Sequence, residues 1–452
     1  MGKLRSLTIH FNNPSRVYYG GQKLSGLVQI ILNEPMKARG VRLEIKGEAQ
    51  VYWSETRTTG TGKNSSTTTD HYSAKEKYFD YSVVLYGSGP VMGANQVLLN
   101  CGEHHYPFEF VLPYNIPSSY EGGTGYVRYY AKAVIDKPWK FDHKCKIPFT
   151  IISVLDLNLT PNALQPLQQQ GTKHFCCYCC KSGPLSAHVN LYRTGYVSGE
   201  QIYINAEICN MSNRDITHSK ASLDMIISFH ATTKTTTGHK NITSVTQGGI
   251  PPGESDYWNQ VALLIPPLPP SNLMYCKIID IKYILTFSVS ASMAMSLKLP
   301  MEIIIGTIPL ATYMPPAPSA GLPAPNQYNA GGYAPQYNAG GYAPQYNSDG
   351  YAPQYNSDGY APQYNSDGYA AQSGALLPTT SYPEPSATPM GTGASAIPSA
   401  PPAYEECVFG KVNISDEGDD KYTHGELNFA PAYPYYNFPS APPLPGQPMD
   451  KA

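Results

Sequence analysis

Apolar and polar residues alternate with a period of two through most of the first 310 residues. Leu7, Ile9 and Phe11 fall on one side of the run 4–11. The same alternation predicts strands over 24–32, 41–53, 76–86, 106–112, 126–136 and 145–154, separated by turn residues. The polar Thr/Ser/Gly stretch from Glu55 to His71 is expected to be the loop of a long hairpin. Pro113 to Ser119 breaks the pattern, and Gly122-Gly123 turns it. About seven short strands with almost no helical periodicity predict a β-sandwich.

The alternation resumes over 184–310 and carries an internal echo. Tyr18-Tyr19-Gly20-Gly21-Gln22-Lys23-Leu24 corresponds to Tyr196-Val197-Ser198-Gly199-Glu200-Gln201-Ile202. Both enter an alternating strand, with Val28 and Ile30 matched by Ala206 and Ile208. Pro113, Pro117 and Ser118 share their spacing with Pro266, Pro270 and Ser271, and each set precedes a long strand. The expectation is one sandwich used twice: residues 1–155 and 184–311, joined by a connector over 156–183. Such a pair offers an extended curved surface for a partner.

The connector is rich in Pro and Gln and ends in Phe175-Cys176-Cys177-Tyr178-Cys179-Cys180. Four clustered thiols can hold zinc, but adjacent cysteines in an extended chain point apart and make a poor tetrahedron. Palmitoylation is a second reading, and a small apolar plug a third. Met1-Gly2-Lys3-Leu4-Arg5-Ser6 fits the N-myristoylation pattern at Gly2, although Gly2 also simply precedes a strand.

From residue 312 the strand pattern stops. A nine-residue unit, Gly-Tyr-Ala-Pro-Gln-Tyr-Asn-Ser/Ala-Asp/Gly, repeats from Gly332 and decays at Gly368. It has Pro and Gly in every unit and no aliphatic residue beyond Ala, so it cannot build a core. The expectation for 312–452 is a disordered Pro/Tyr-rich tail. The repeats contain Ala-Pro-Gln-Tyr, either weak copies of a recognition word or a tyrosine-rich spacer.

Within the tail, Pro398-Ser399-Ala400-Pro401-Pro402-Ala403-Tyr404 holds two overlapping words, PSAP and PPxY, that share Pro401. Polyproline II geometry suits such segments to aromatic grooves. WW domains read PPxY with Pro401 and Pro402 on the groove and Tyr404 in a pocket. The ubiquitin-E2-variant domain of ESCRT-I reads PSAP. Tail composition would spell PPxY about 0.4 times by chance and PSAP about 0.04 times. PSAP occurs again at Pro439-Ser440-Ala441-Pro442, so the pair is the stronger signal.

The 452 residues carry a net charge of −2. The tail is acidic, with a run from Asp416 to Asp420, which leaves the first 314 residues net positive. That excess fits anionic lipid or phosphopeptide and is too small to argue for nucleic acid. No apolar run is long enough to span a membrane, and no signal peptide is evident. Nine cysteines, an odd number, fit reduced thiols better than a disulfide framework. Sequons such as Asn64-Ser65-Ser66 are then chance matches.

The chain resembles the α-arrestins, the arrestin-domain-containing proteins. In the first half the likeness rests on Phe11-Asn12-Asn13, Val17 to Gly21, Tyr106 to Phe110, Pro117 to Gly122, Gly125 to Tyr129, and Ile135-Asp136-Lys137-Pro138-Trp139. In the second half it rests on Cys176-Cys177, Ser182-Gly183-Pro184, Gly195-Tyr196 and Ile305 to Leu310. The resemblance implies an all-β protein with two tandem arrestin-like sandwiches. It implies an adaptor that takes transmembrane receptors or transporters as cargo and recruits HECT-type ubiquitin ligases through their WW domains. The PSAP words add ESCRT-I. Cargo would then be ubiquitinated, internalised and sorted by a cytoplasmic protein recruited to the plasma membrane and endosomes. Family tails usually carry two PPxY words and this one has a single copy, and the receptor-phosphate sensor of arrestins does not map residue by residue. The alternative is a scaffold without ubiquitin function that binds cargo or lipid. No phosphate loop, zincin helix or nucleophile elbow is present, so neither an enzyme nor a cofactor is expected.

Overall fold

The structure, a computed structural model, describes residues 2–60, 65–89, 96–137, 140–175, 183–313, 403–416 and 418–438. The first sandwich contains β1 (Leu4–Phe11), β2 (Val17–Tyr19), β3 (Lys23–Leu32), β4 (Met36–Ala38), β5 (Gly40–Thr59) and β6 (Ser66–Gly87). It continues with β7 (Val97–Leu99), β8 (Gly102–Val111), β9 (Tyr120–Glu121), β10 (Gly125–Asp136) and β11 (His143–Ile152). One sheet runs β1-β3-β8, and the facing sheet runs β2-β11-β10-β5-β6. Alternation puts Leu7, Ile9, Val28 and Ile30 against Leu43, Ile45, Val127, Tyr129 and Phe149, all buried.

The second sandwich contains β12 (Leu167–Lys173), β13 (Leu185–Leu191), β14 (Gly195–Val197), β15 (Gln201–Asn210) and β16 (Ile216–His230). It is completed by β17 (Thr235–Gln247), β18 (Ser255–Leu264), β19 (Ile279–Ala291) and β20 (Leu297–Gly306). Its sheets run β12-β13-β15-β18 and β14-β20-β19-β16-β17. The internal echo is real in space. The Tyr18 segment pairs in parallel with the end of β11, Tyr18 opposite Ile151, and the Tyr196 segment pairs in parallel with β20, Tyr196 opposite Ile305.

The second part of the echo shifts by one residue. Ser119 Oγ accepts the Ile151 N–H at 2.9 Å, and Ser271 Oγ accepts the Ile305 N–H at 2.9 Å. Tyr129 donates its hydroxyl to Pro117 O and Tyr283 donates to Pro269 O, both at 2.7 Å. Ser271 therefore matches Ser119, not Ser118, and Pro269 matches Pro117. Spacing between prolines misled because the match is carried by the serine hydroxyl and the tyrosine, not by the proline rings.

Three further expectations change. The Thr-rich stretch 55–71 is not simply a loop: β5 extends to Thr59 and β6 begins at Ser66, because β-branched threonines suit a pleated ribbon. The connector contains β12, which pairs antiparallel with β13 and extends the second sandwich. Its Gln-Gln-Gln run is polar and exposed, the composition of an edge strand.

The third change is the largest. Residues 403–438, expected to be disordered, form β21 (Ala403–Glu406), β22 (Val412–Asn413), β23 (Thr423–Gly425), β24 (Asn428–Phe429) and β25 (Ala432–Tyr435). β21 pairs with β25 and β22 with β24, both antiparallel, while β23 pairs in parallel with β11. The segment is poor in aliphatic residues and builds no core of its own, so composition pointed to disorder. It is ordered because it completes the outer face of the sandwiches.

The two serines that cap the matched corners are buried and leave an unpaired backbone N–H if truncated. Ser119→Ala and Ser271→Ala should each cost about 1–3 kcal/mol, with similar shifts in the denaturation midpoint. Clearly unequal shifts would break the proposed equivalence of the two corners.

Candidate functional site

In a half-solvated sheet the outward positions of β10 should face water, yet nearly the whole of β10 is buried. Its inward residues Val127, Tyr129, Ala131 and Ala133 belong to the core. Its outward residues include Arg128, Tyr130 and Lys132, and those of the neighbouring β11 include Lys144 and Lys146. The alternation thus lays four cations on one outer face, and residues 414–426 cover them.

Lys146 is the centre of this cover. Its side chain has 0% exposure. Its ammonium donates to Asp416 Oδ2 at 2.7 Å, to Asp419 Oδ2 at 2.9 Å and to the Ile414 carbonyl at 3.0 Å. The three donors of the lysine thus meet three acceptors, all from the tail segment. The face of Tyr130 lies 4.4 Å from the same nitrogen.

Lys132 donates to Asp419 Oδ1 at 2.7 Å. Lys144 donates to the Gly418 carbonyl at 2.9 Å and to Asp420 at 3.2 Å. Arg128 forms a bidentate pair with Glu121, at 2.7 Å in both arms, and donates to the Ile414 carbonyl at 3.2 Å. Burial alone would raise the Asp419 carboxyl. The hydrogen bonds from Lys132 and Lys146, the Asp416 N–H and the Lys146 charge outweigh it and bring the group from 3.8 down to about 2.

β23 fixes this loop to the sheet edge. Lys144 N–H donates to Tyr422 O and Glu426 N–H to Lys146 O. Gly425 sits at φ +109°, and a Cβ there would lie 2.2 Å from Lys146 O, so the close approach requires glycine. β2 pairs with Thr150 to Ile152 of β11, and β23 pairs with Lys144 to Lys146, so the two share one strand edge.

The rest of the segment reaches both sandwiches. Tyr433 is buried and donates its hydroxyl to Ser119 O at 2.8 Å. Together with Cys407 it packs on Val17 and Ile152. Ala432 N–H donates to Thr150 Oγ1. On the second sandwich, Tyr436 N–H donates to Ser198 O and its hydroxyl to Thr307 O. Val408 N–H donates to Pro267 O, and Lys240 sits 3.4 Å over the Phe409 ring. The segment is therefore a clasp across the two sandwiches.

Tyr404 lies at the start of this clasp. Its main chain faces Pro434 in the β21–β25 ladder. Its hydroxyl is 3.1 Å from that of Tyr19, and the ring is half-buried. Burial and then the Tyr404 hydrogen bond push the Tyr19 hydroxyl far up. Of the other expected site residues, Gly2 is exposed, with its carbonyl bound by Asn33. Pro398, Ser399, Ala400, Pro401, Pro402, the second PSAP at Pro439–Pro442 and Cys176, Cys177, Cys179 and Cys180 lie outside the described residues. Among the described residues no cluster of His, Cys, Asp or Glu could hold a metal, and no helix is long and apolar enough to cross a membrane.

Arg128, Lys132, Lys144 and Lys146 were not assigned to a site from sequence. The available signal was cations at alternate positions of two long strands whose other face is core, together with the acidic run 416–420.

Residues 7–158 match the family model described as "Arrestin (or S-antigen), N-terminal domain", and residues 181–310 match "Arrestin (or S-antigen), C-terminal domain". The chain is 29% identical to "Arrestin domain-containing protein 17" of Caenorhabditis elegans, over 96% of this chain and 100% of that protein. It is 32% identical to "Arrestin domain-containing protein 4" of Homo sapiens, over 68% of this chain and 72% of that protein. It is 30% identical to "Arrestin domain-containing protein 1" of Rattus norvegicus, over 72% and 70%.

A carboxyl held down at about 2 contributes stability that is fully present above its ordinary value of 3.8 and lost as pH falls through about 2. Asp419 therefore faces Lys132 and Lys146 as a carboxylate throughout the mildly acidic range. The protection that Asp419 confers, read as the difference in amide exchange of 403–438 between the wild type and Asp419→Asn and corrected for intrinsic rates, should be equal at pH 7.4 and pH 5.5; a smaller difference at pH 5.5 would contradict it. Asp419→Ala removes a partner from two buried ammonium groups, a loss worth about 3–5 kcal/mol if the geometry were kept. Undocking caps that cost, so the variant should release the clasp and become sensitive to limited proteolysis within 403–438, with both sandwiches intact.

Proposed function

The chain belongs to the arrestin domain family, and on that footing we propose that it is a non-catalytic adaptor in membrane-protein trafficking. The two sandwiches take transmembrane cargo, and the tail recruits the machinery that marks and sorts it. Pro401, Pro402 and Tyr404 engage a WW domain of a HECT-type ubiquitin ligase. Pro398–Pro401 and Pro439–Pro442 engage the ubiquitin-E2-variant domain of ESCRT-I. The observation that carries this reading is the overlapping pair of words at Pro398–Tyr404, with PSAP repeated at Pro439–Pro442.

Because Pro401 belongs to both words, one segment holds one partner at a time. The second PSAP lets ligase and ESCRT-I occupy a single tail together. The protein works from the cytoplasm at the plasma membrane and endosomes. A lipid on Gly2 or on the Cys176–Cys180 cluster would anchor it there, and one acyl chain needs a second membrane signal to hold.

The reading is tested by capture from cytosol on the isolated 315–452 tail. Tyr404→Ala should abolish capture of WW ligases and leave ESCRT-I. Pro398→Ala with Pro439→Ala should do the reverse. A wild-type tail that captures neither would leave a double-sandwich scaffold with other partners. Phosphorylation of Tyr404 should weaken WW binding at least tenfold, since it brings about −2 charge into a largely apolar pocket. Equal binding of the plain and phosphorylated peptides by calorimetry would contradict it.

A further inference from the structure

We propose that the clasp and the ligase compete for Tyr404, so that the docked chain keeps this tyrosine from a WW pocket. The inference rests on the WW reading above and adds that recruitment is conditional on release of residues 403–438.

The two engagements of Tyr404 cannot coexist. A WW domain needs the tyrosine ring in its own pocket and the backbone beside it free to lie on its groove. In the docked chain, Ala403 to Glu406 are paired residue by residue with Ala432 to Tyr435. The Tyr404 hydroxyl is turned to Tyr19 of the first sandwich. The ring packs with Cys407 and Tyr433 on Val17 and Ile152. Freeing Tyr404 means opening β21 from β25, and β25 is itself held by Thr150 and by the Tyr433 hydroxyl on Ser119.

The holding free energy sits elsewhere in the same segment. Asp416 and Asp419 supply carboxylates to Lys146 and Lys132, and the Ile414 carbonyl completes the Lys146 site. The loop joins β22 to β23, between the two strands of the outer ladder. Weakening it therefore loosens the ladder that contains Tyr404, although Asp416, Asp419 and Asp420 make their bonds to lysines of the first sandwich and not to Tyr404.

The observed affinity for a WW domain is then the intrinsic one multiplied by the undocked fraction. Binding of an isolated WW domain from a HECT-type ligase would be measured against a synthetic peptide spanning 396–410, the full chain, and full chains carrying Asp416→Asn with Asp419→Asn or Tyr433→Ala. All three substitutions lie in the clasp and outside the motif, so the sandwiches do not depend on them for their cores. The peptide should bind, the full chain should bind at least about tenfold more weakly, and both variants should recover most of the difference. Amide exchange of 403–406 in the same proteins should be slow in the wild type and fast in the variants.

Equal affinity of peptide and full chain would overturn the competition while leaving the WW reading intact. Fast exchange at 403–406 in the wild-type chain would overturn it independently of any WW domain. A peptide that binds no WW domain would remove the ligase reading and this inference with it, whereas slow exchange would still establish the docked clasp.

Discussion

A buried lysine ammonium with no exposure at all is costly unless its donors are matched, and Lys146 meets three acceptors. All three come from a stretch more than 260 residues later in the chain. This one arrangement explains why the outward face of β10 is buried, why Ile414 is buried although its neighbours in sequence are polar, and why an acidic run is ordered. The sandwich does not require it for folding: an uncovered Lys146 would sit on an outer sheet face in water. What Lys146 sets is the free-energy difference between a covered and an uncovered face, and that difference grows because Lys132 and Lys144 use the same acidic loop.

The second support is duplication. Each sandwich ends its long sheet with a short parallel edge strand, β2 or β14, and closes a corner with a tyrosine hydroxyl on a proline carbonyl and a serine on a strand N–H. The clasp touches the two copies at different places. Tyr433 binds the corner at Ser119, and Tyr436 runs past Ser198 and Gly199, just beyond β14. Gly199, at φ +94°, leaves room for the Tyr436 carbonyl 1.9 Å from where a Cβ would stand. The same turn in the first sandwich places Gly21 against the Tyr114 ring. Two related turns have thus taken different neighbours, one a loop of its own domain and the other the distant tail.

Most of the double sandwich was legible because a strand with one buried face writes its position into alternating residues. β1 has the bounds that alternation predicts, and β10 begins one residue earlier. Legibility failed where a structure is stabilised by something other than its own alternation. β12 lacks an apolar face because it is an edge. The ends of β5 and β6 form a two-stranded ribbon whose threonines look like loop residues. Residues 403–438 carry aromatic side chains, carboxylates and short strands of two to four residues, none of which a local window can distinguish from a spacer. For the candidate site, the recognition word at Tyr404 was readable as a string, but its cationic host was not. Arg128, Lys132, Lys144 and Lys146 look like ordinary solvated positions until the segment that covers them is known to return.

Composition answers whether a segment can build a core, and 403–438 cannot. It does not answer whether a segment can finish a surface that already exists. The host pays no further ordering cost, since its strands are fixed by their own core, so a few well-matched groups suffice: one ammonium with its acceptors, two buried tyrosines and a half-edge of β11. A recognition word placed inside such a segment acquires a second set of contacts. Tyr404 is then held by every interaction that holds the clasp, including ion pairs to which it makes no contact. Under the competition proposed above, a short motif with its own affinity as a free peptide becomes, in this chain, a motif whose availability is set by a buried lysine.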